Sequence, residues 1–173
     1  MRVPPLSIDE QQRQAAVEGS GVLDRGPEER FDRITRLAQR LFDTPIALFS
    51  VIDRNRQWFK SRQGLGAEET PRDVSFCGHA ILGMDMLCVE DAWEDERFAD
   101  NPLVVDAPFV RFYAGCPVRD ARGLAVGTLC VIDHEPREFS AADRRALQDL
   151  AALLELEIQR GAGSRETSET AQA

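Results

Sequence analysis

Lysine is nearly missing from this chain: Lys60 is the only one among 21 basic residues, and every other is arginine. Basic charge as a whole is outweighed, since 30 acidic residues leave a formal net charge of −9. Phosphate-backbone recognition rests on concentrated positive charge. No window here gathers arginines and aromatics densely enough to supply it, so nucleic acid is not expected as a direct partner. Long apolar runs are missing too. None approaches the ~20 residues that cross a bilayer, and the amino terminus, MRVPPLSIDEQQRQ, lacks the apolar centre of a secretory signal. No membrane partner is expected, and the chain is placed in the cytoplasm.

Cysteine is present without any metal or redox pattern. Cys77, Cys88, Cys116 and Cys130 form no C-x-x-C pair, so neither a zinc ribbon nor a thioredoxin motif is suggested. In a reducing compartment they read as free thiols packed like small hydrophobes. The two histidines, His79 and His134, have no H-x-x-x-H or Cys/His spacing around them, so no metal and no cofactor is expected. No internal repeat is visible.

What is there fits one domain: 173 residues, 43% hydrophobic, enough for one core and too few for two. Ser7 to Glu10 reads as a capping box opening a short polar helix, an extension over residues 1–22. Pro27 suits the first turn of a second helix, with Glu28 and Glu29 at its positive end. There Phe31, Ile34, Leu37, Ala38 and Leu41 recur at helical spacing. Residues 46–52 (IALFSVI) read as a strand buried on both faces, and residues 57–63 return as its hairpin partner after the turn DRNR. Residues 64–73 read as a loop, Ser75 as the cap of a short helix to about Leu82, and residues 86–90 as a third strand. The polar, proline-containing stretch 91–108 shows no periodicity and reads as a covering loop. Residues 112–119 and 124–132 form a second hairpin, and Ser140 caps a last helix striped by Leu147, Leu150, Leu154 and Ile158. The main domain is set at 23–160, with 161–173 expected as a disordered tail.

That order predicts an α+β fold: an antiparallel sheet with helices on one face and a loop-covered hollow on the other, a natural place for a small molecule. The leucine stripe of the last helix is compatible both with packing on its own sheet and with a parallel dimer seam.

The chain resembles a GAF domain from about Leu23 to Ile158. The carriers are PEERFDRITRLAQRLF at 27–42, PIALFSVID at 45–53, RQWFKSRQGL at 56–65, TPRDVSFCGHAIL at 70–82, VEDAWEDERFADNPLV at 89–104, RFYAGCPV at 111–118 and GTLCVID at 127–133. The resemblance implies a six-stranded antiparallel sheet, terminal helices on one face that pair into a homodimer, and an unidentified small-molecule ligand on the other face. Carried onto this sequence, the ligand-binding set is Trp58, Phe59, Phe76, Cys77, His79, Phe98, Asn101 and Tyr113, with Asp91 able to orient a polar ligand. Lys60 is a candidate anion contact or a solvated strand edge, and the aromatics read equally as ordinary core. No kinase or cyclase segment follows the last helix, so the output of such a sensor is expected from a separate kinase or cyclase protein or from a change in the chain's own pairing.

A second reading implied by the resemblance is enzymatic. One branch of the family reduces free methionine-(R)-sulfoxide with cysteines around the pocket. Cys77 lies at a helix amino terminus, which favours thiolate, and Cys88 is a conceivable resolving partner. Where that branch places its catalytic cysteine, this chain has Ala99 and Asp100, so the expectation is a non-enzymatic sensor. A non-binding interaction module is the third reading. The motifs of bilin-binding and cyclic-nucleotide GAF domains are not reproduced.

Overall fold

The computed structural model describes residues 1–170, with side chains described through residue 161. Its centre is β1 (Ile46–Asp53), the apolar run, buried along its whole length. β1 pairs antiparallel with β2 (Arg56–Gln63) on one side and β6 (Ala125–Asp133) on the other. β5 (Phe112–Arg119) pairs with β6, β4 (Leu87–Val89) with β5, and β3 (Glu69–Pro71) with β2. The result is an open six-stranded antiparallel sheet in the order β3-β2-β1-β6-β5-β4, the α+β architecture expected. β1 and β6 are continuous apolar runs because both of their faces are covered, which removes the usual alternation of an antiparallel sheet. β3 lies in the stretch expected as loop. It is three residues long and ends on Pro71, at a sheet edge where a missing amide breaks no ladder.

Period-two alternation divides the interior into two cores. Phe49, Val51, Phe112, Ala114 and Leu129 pack with α1 (Glu10–Ser20), α2 (Glu29–Phe42) and α5 (Ala141–Thr170). Leu48, Ile52, Phe59, Tyr113 and Ile132 face the opposite way. There they meet a single 3-10 turn (Arg72–Val74), α3 (Phe76–Ala80) and α4 (Pro102–Val105). α4 interrupts the segment expected to be irregular. It forms because the Asn101 carboxamide caps Leu103 N–H at 2.9 Å and Pro102 occupies the first turn.

Three expectations need revising. The first helix is no peripheral extension: Ala16 and Val17 are buried in the helix-side core. The Arg13 guanidinium is buried beneath them and donates to the Ile52 carbonyl at 2.8 Å. The capping box at Ser7 is half made. The Glu10 carboxylate accepts from Ser7 N–H at 3.3 Å, but the Ser7 hydroxyl turns to Asp9 and Glu10 also serves Arg13 and Arg72. The reciprocal box is instead made at Ser140 and Asp143. Finally, α5 continues through Thr170 where a disordered tail was expected from residue 161. A helix already nucleated on a packed face extends at little cost. Residues 171–173 of that expected tail lie outside the described residues.

Of the C-terminal stripe, Leu147, Leu154 and Ile158 are buried in the domain's own core and Leu150 is partly buried against it. The leucines that face outward are Leu153 and Leu156 on α5, with Leu37 and Leu41 on α2. Among the described residues no helix is long and apolar enough to cross a membrane.

Candidate functional site

The sheet face away from the terminal helices is not filled. α3 lies across β1, β5 and β6, and together with the segment 103–110 it leaves a cavity of about 270 Å³. Leu48 from β1, Gln57 and Phe59 from β2, Tyr113 from β5 and Ile132 from β6 form its floor, while Phe76, Cys77, Leu103 and Val110 contribute walls. Among the described residues no charged side chain lines it. Gln57 is the main polar group at the wall. Its amide N–H donates to Thr70 Oγ1 at 2.9 Å, and its buried Oε1 has no hydrogen-bond partner among the described residues. A buried acceptor left open costs about 1–3 kcal/mol, a penalty that a ligand N–H or O–H donor would relieve.

One corner of this face is polar. Cys77, presented by α3, points back at the sheet, with its sulfur 3.2 Å from Tyr113 Oη, 3.4 Å from Ser50 Oγ and 3.8 Å from Cys130 Sγ. The helix is placed by Ser75, whose hydroxyl accepts from Gly78 N–H at 3.0 Å. Tyr113 reaches Cys77 by folding along its own strand over Gly115, where a Cβ would stand 2.0 Å from the phenol oxygen. Burial pushes the Cys77 thiol up, but hydrogen bonds with Cys130, Ser50 and Tyr113 outweigh that and bring it down to about 7. Burial and the neighbouring Cys77 sulfur push Cys130 the other way, well above the ordinary thiol range. The Tyr113 phenol is likewise raised, by burial first and by the two sulfurs next.

The model of the GAF domain family matches residues 26–158. The chain belongs to the GAF domain family. Cyclic di-GMP phosphodiesterase PA2567 of Pseudomonas aeruginosa is 47% identical over 155 residues, covering 89% of this chain but 26% of that protein. The chain thus spans about a quarter of the length of that relative. Among solved structures, free methionine-R-sulfoxide reductase from Neisseria meningitidis, in complex with its substrate, matches with a TM-score of 0.64 at 17% identity, over 95% of this chain and 99% of that one. The blue-light absorbing form of the PixJ GAF domain from Thermosynechococcus elongatus matches with a TM-score of 0.64 at 14% identity, over 92% of each. At such identities these structures share the fold and nothing narrower.

Within this GAF domain the residues singled out from sequence separate into three groups. Phe59, Phe76, Cys77 and Tyr113 line the cavity. Phe98, His79, Asn101 and Asp91 stand behind or outside it. Phe98 is fully buried and stacks on Phe76 with ring centroids 4.0 Å apart. His79 Nε2 is tied to the Arg2 carbonyl at 2.9 Å by the N-terminal arm. Asn101 also donates to the Val74 carbonyl at 2.9 Å, pinning α4 to the 3-10 turn. Asp91 pairs with Arg111 at 2.7 Å.

Trp58 and Lys60 lie on the opposite face, which corrects their placement in the pocket. Trp58 follows strand alternation and borders a groove of about 440 Å³ with Asp24, Arg36 and Glu68. Lys60 is the extra residue of a β-bulge, because Ser50 pairs with Phe59 while Phe49 pairs with Ser61. Neither a solvated edge nor an anion contact in the cavity, its ammonium is buried against Glu28 at 2.6 Å and donates to the Gly26 carbonyl at 2.9 Å. Cys88 likewise faces the helix-side core, so the sheet separates it from Cys77. The residues that sequence reasoning passed over are Gln57, which period two places on the same face as Phe59, and Cys130, hidden in an apolar strand.

Proposed function

We propose that this GAF domain is a small-molecule sensor of a bacterial signalling protein, working in the cytoplasm, and that its ligand is neutral and largely apolar with one hydrogen-bond donor. The observation that carries this reading is the cavity of about 270 Å³, which no charged side chain lines among the described residues, with Gln57 in its lining and the Gln57 Oε1 without a hydrogen-bond partner there. Binding sites pair a mostly apolar lining with a few placed polar groups, and a phosphate or a zwitterion would enter this one without a counter-charge. The floor strands β1, β5 and β6 contact α5 or α2 on their other side, so a ligand that favours one setting of the sheet biases the helices as well. The relative's name supports an output in cyclic di-GMP turnover, delivered by a catalytic partner domain or protein. The exposed leucines of α2 and α5, Leu37, Leu41, Leu153 and Leu156, are the proposed homodimer surface.

Native mass spectrometry of the purified chain, joined to a thermal-shift screen of neutral metabolites, tests the reading. A true ligand at one hundred times its Kd stabilises the fold by about 2.7 kcal/mol. Leu65→Trp, placed at the cavity wall, abolishes that shift while the free protein stays folded. A library without any stabilising neutral compound, and a chain that carries no copurified molecule, sinks the proposal. Light scattering tests the dimer: Leu153→Glu with Leu156→Glu yields a monomer, and a wild-type chain already monomeric at high concentration removes the dimer.

A further inference from the structure

We propose that Cys77 and Cys130 form a dithiol site that a small hydroperoxide oxidises to a disulfide inside the cavity. The site does not depend on any sensed ligand. Cys77 lines the cavity, and Cys130 lies directly beneath it on β6, with sulfurs 3.8 Å apart. A disulfide needs about 2.05 Å between sulfurs, a small closure for α3, a five-residue helix carrying Cys77. Cys88 and Cys116 sit against the helix-side core, across the sheet from Cys77.

The surroundings select the oxidant. Among the described residues no charged side chain lines the cavity, so charged or bulky disulfides are disfavoured, while hydrogen peroxide is small and neutral. Reactive thiols are those held as thiolate, and hydroxyls of Tyr113 and Ser50 lie 3.2 and 3.4 Å from the Cys77 sulfur, where they hold a negative charge. The Cys77 thiolate attacks one peroxide oxygen, the O–O bond breaks, and the departing hydroxide takes the proton that Cys77 gave up, leaving as water. Cys77 is then a sulfenic acid. The Cys130 sulfur attacks the Cys77 sulfur, the S–O bond breaks, and the hydroxyl leaves as a second water with the Cys130 proton. Two thiols have lost two electrons, and one peroxide has become two waters. Because Phe76 and Cys77 are neighbours on α3 and both line the cavity, the disulfide draws that wall toward the sheet.

The test treats the whole reduced chain with one equivalent of hydrogen peroxide and follows intact mass, differential alkylation under denaturing conditions, and peptide mapping. The expected product has lost two hydrogens, about 2 Da, carries a Cys77–Cys130 link, and leaves Cys88 and Cys116 alkylatable. Cys130→Ser stops at the sulfenic acid on Cys77, a gain of one oxygen that dimedone captures, whereas Cys77→Ser slows oxidation at least tenfold. Should either variant fail to fold, mapping of the wild-type protein alone decides. Four thiols still alkylatable after peroxide, or a link between any other pair, overturns the proposal. A sensor without its ligand would still form this link, and a ligand-binding domain with inert thiols would not, so the two readings fail separately.

Discussion

The two faces of the sheet solve the same problem of burying polar groups in opposite ways. On the helix side, charges are buried and answered. Lys60 meets Glu28 and a backbone carbonyl, Arg13 meets Glu10 and the Ile52 carbonyl, and Asp32 accepts from Ser61, which also bonds Thr35 at 2.7 Å. On the cavity side no charged residue lines the space among the described residues, and the polar groups there are thiols, hydroxyls and one amide with an idle acceptor. The first face has one low-energy arrangement, because moving any member strands a charge in low dielectric. The second loses little when α3 shifts, since weak sulfur contacts and apolar surface re-form readily. A rigid face that carries the terminal helices is set against an adaptable face that encloses a space, a division of labour that the proposed sensing role would use.

Breaking the rigid face should therefore cost most. Arg13→Ala takes this donor from the Ile52 carbonyl and leaves Glu10 with only Arg72 and the Ser7 N–H, and a loss of about 4 kcal/mol in unfolding free energy is expected by urea titration. Lys60→Met removes the buried ammonium but leaves Glu28 partly in water beside Arg30, so about 2 kcal/mol is expected by the same measurement. On the adaptable face, Gly115→Ala sets a methyl into the Tyr113 phenol. Overpacking of this kind costs about 1–3 kcal/mol. The low end, about 1.5 kcal/mol, is expected because α3 can yield, together with a changed near-ultraviolet signal from the chain's one tyrosine. A loss at Gly115 as large as that at Arg13 would erase the contrast between the faces.

Much of the fold was legible because it is written in periodicity and caps. The apolar runs at β1 and β6, the hairpin turns, and Ser75 and Ser140 as caps each act within a few residues. What was illegible depends on contacts between distant segments. α1 reads as polar because only Ala16 and Val17 enter the core and its arginine is buried for reasons that lie at Ile52 and Ala125. Strand alternation alone would have set Trp58 on the face opposite Phe59, yet a run of bulky aromatics reads as one pocket wall. The same alternation sets Lys60 beside Trp58, and the bulge there turns Ser61 to the helix side as well, where it bonds Thr35. Cys130 carries no local mark, since a cysteine in an apolar strand looks like any small hydrophobe until Cys77 is folded onto it.

The smallest effect belongs to Glu10, where the rigid face meets water. Burial alone would raise its carboxyl, but hydrogen bonds and charge from Arg13 and Arg72 bring it down to about 2, from an ordinary 4.5. A carboxylate more acidic in the folded chain than in the unfolded one stabilises fully above its unfolded pKa, and that stability drains away as pH falls toward the folded value. Glu10→Gln keeps one acceptor for the two guanidiniums but removes the charge, so at neutral pH about 1 kcal/mol is expected to be lost. The gap between wild type and variant should stay constant from pH 7 to about 5 and then narrow steadily toward pH 3. Melting temperatures taken across that range read it directly. Parallel curves through the acid range would mean that Glu10 titrates as an ordinary surface carboxylate, and the buried Arg13 would then owe its place to the Ile52 and Ala125 carbonyls alone.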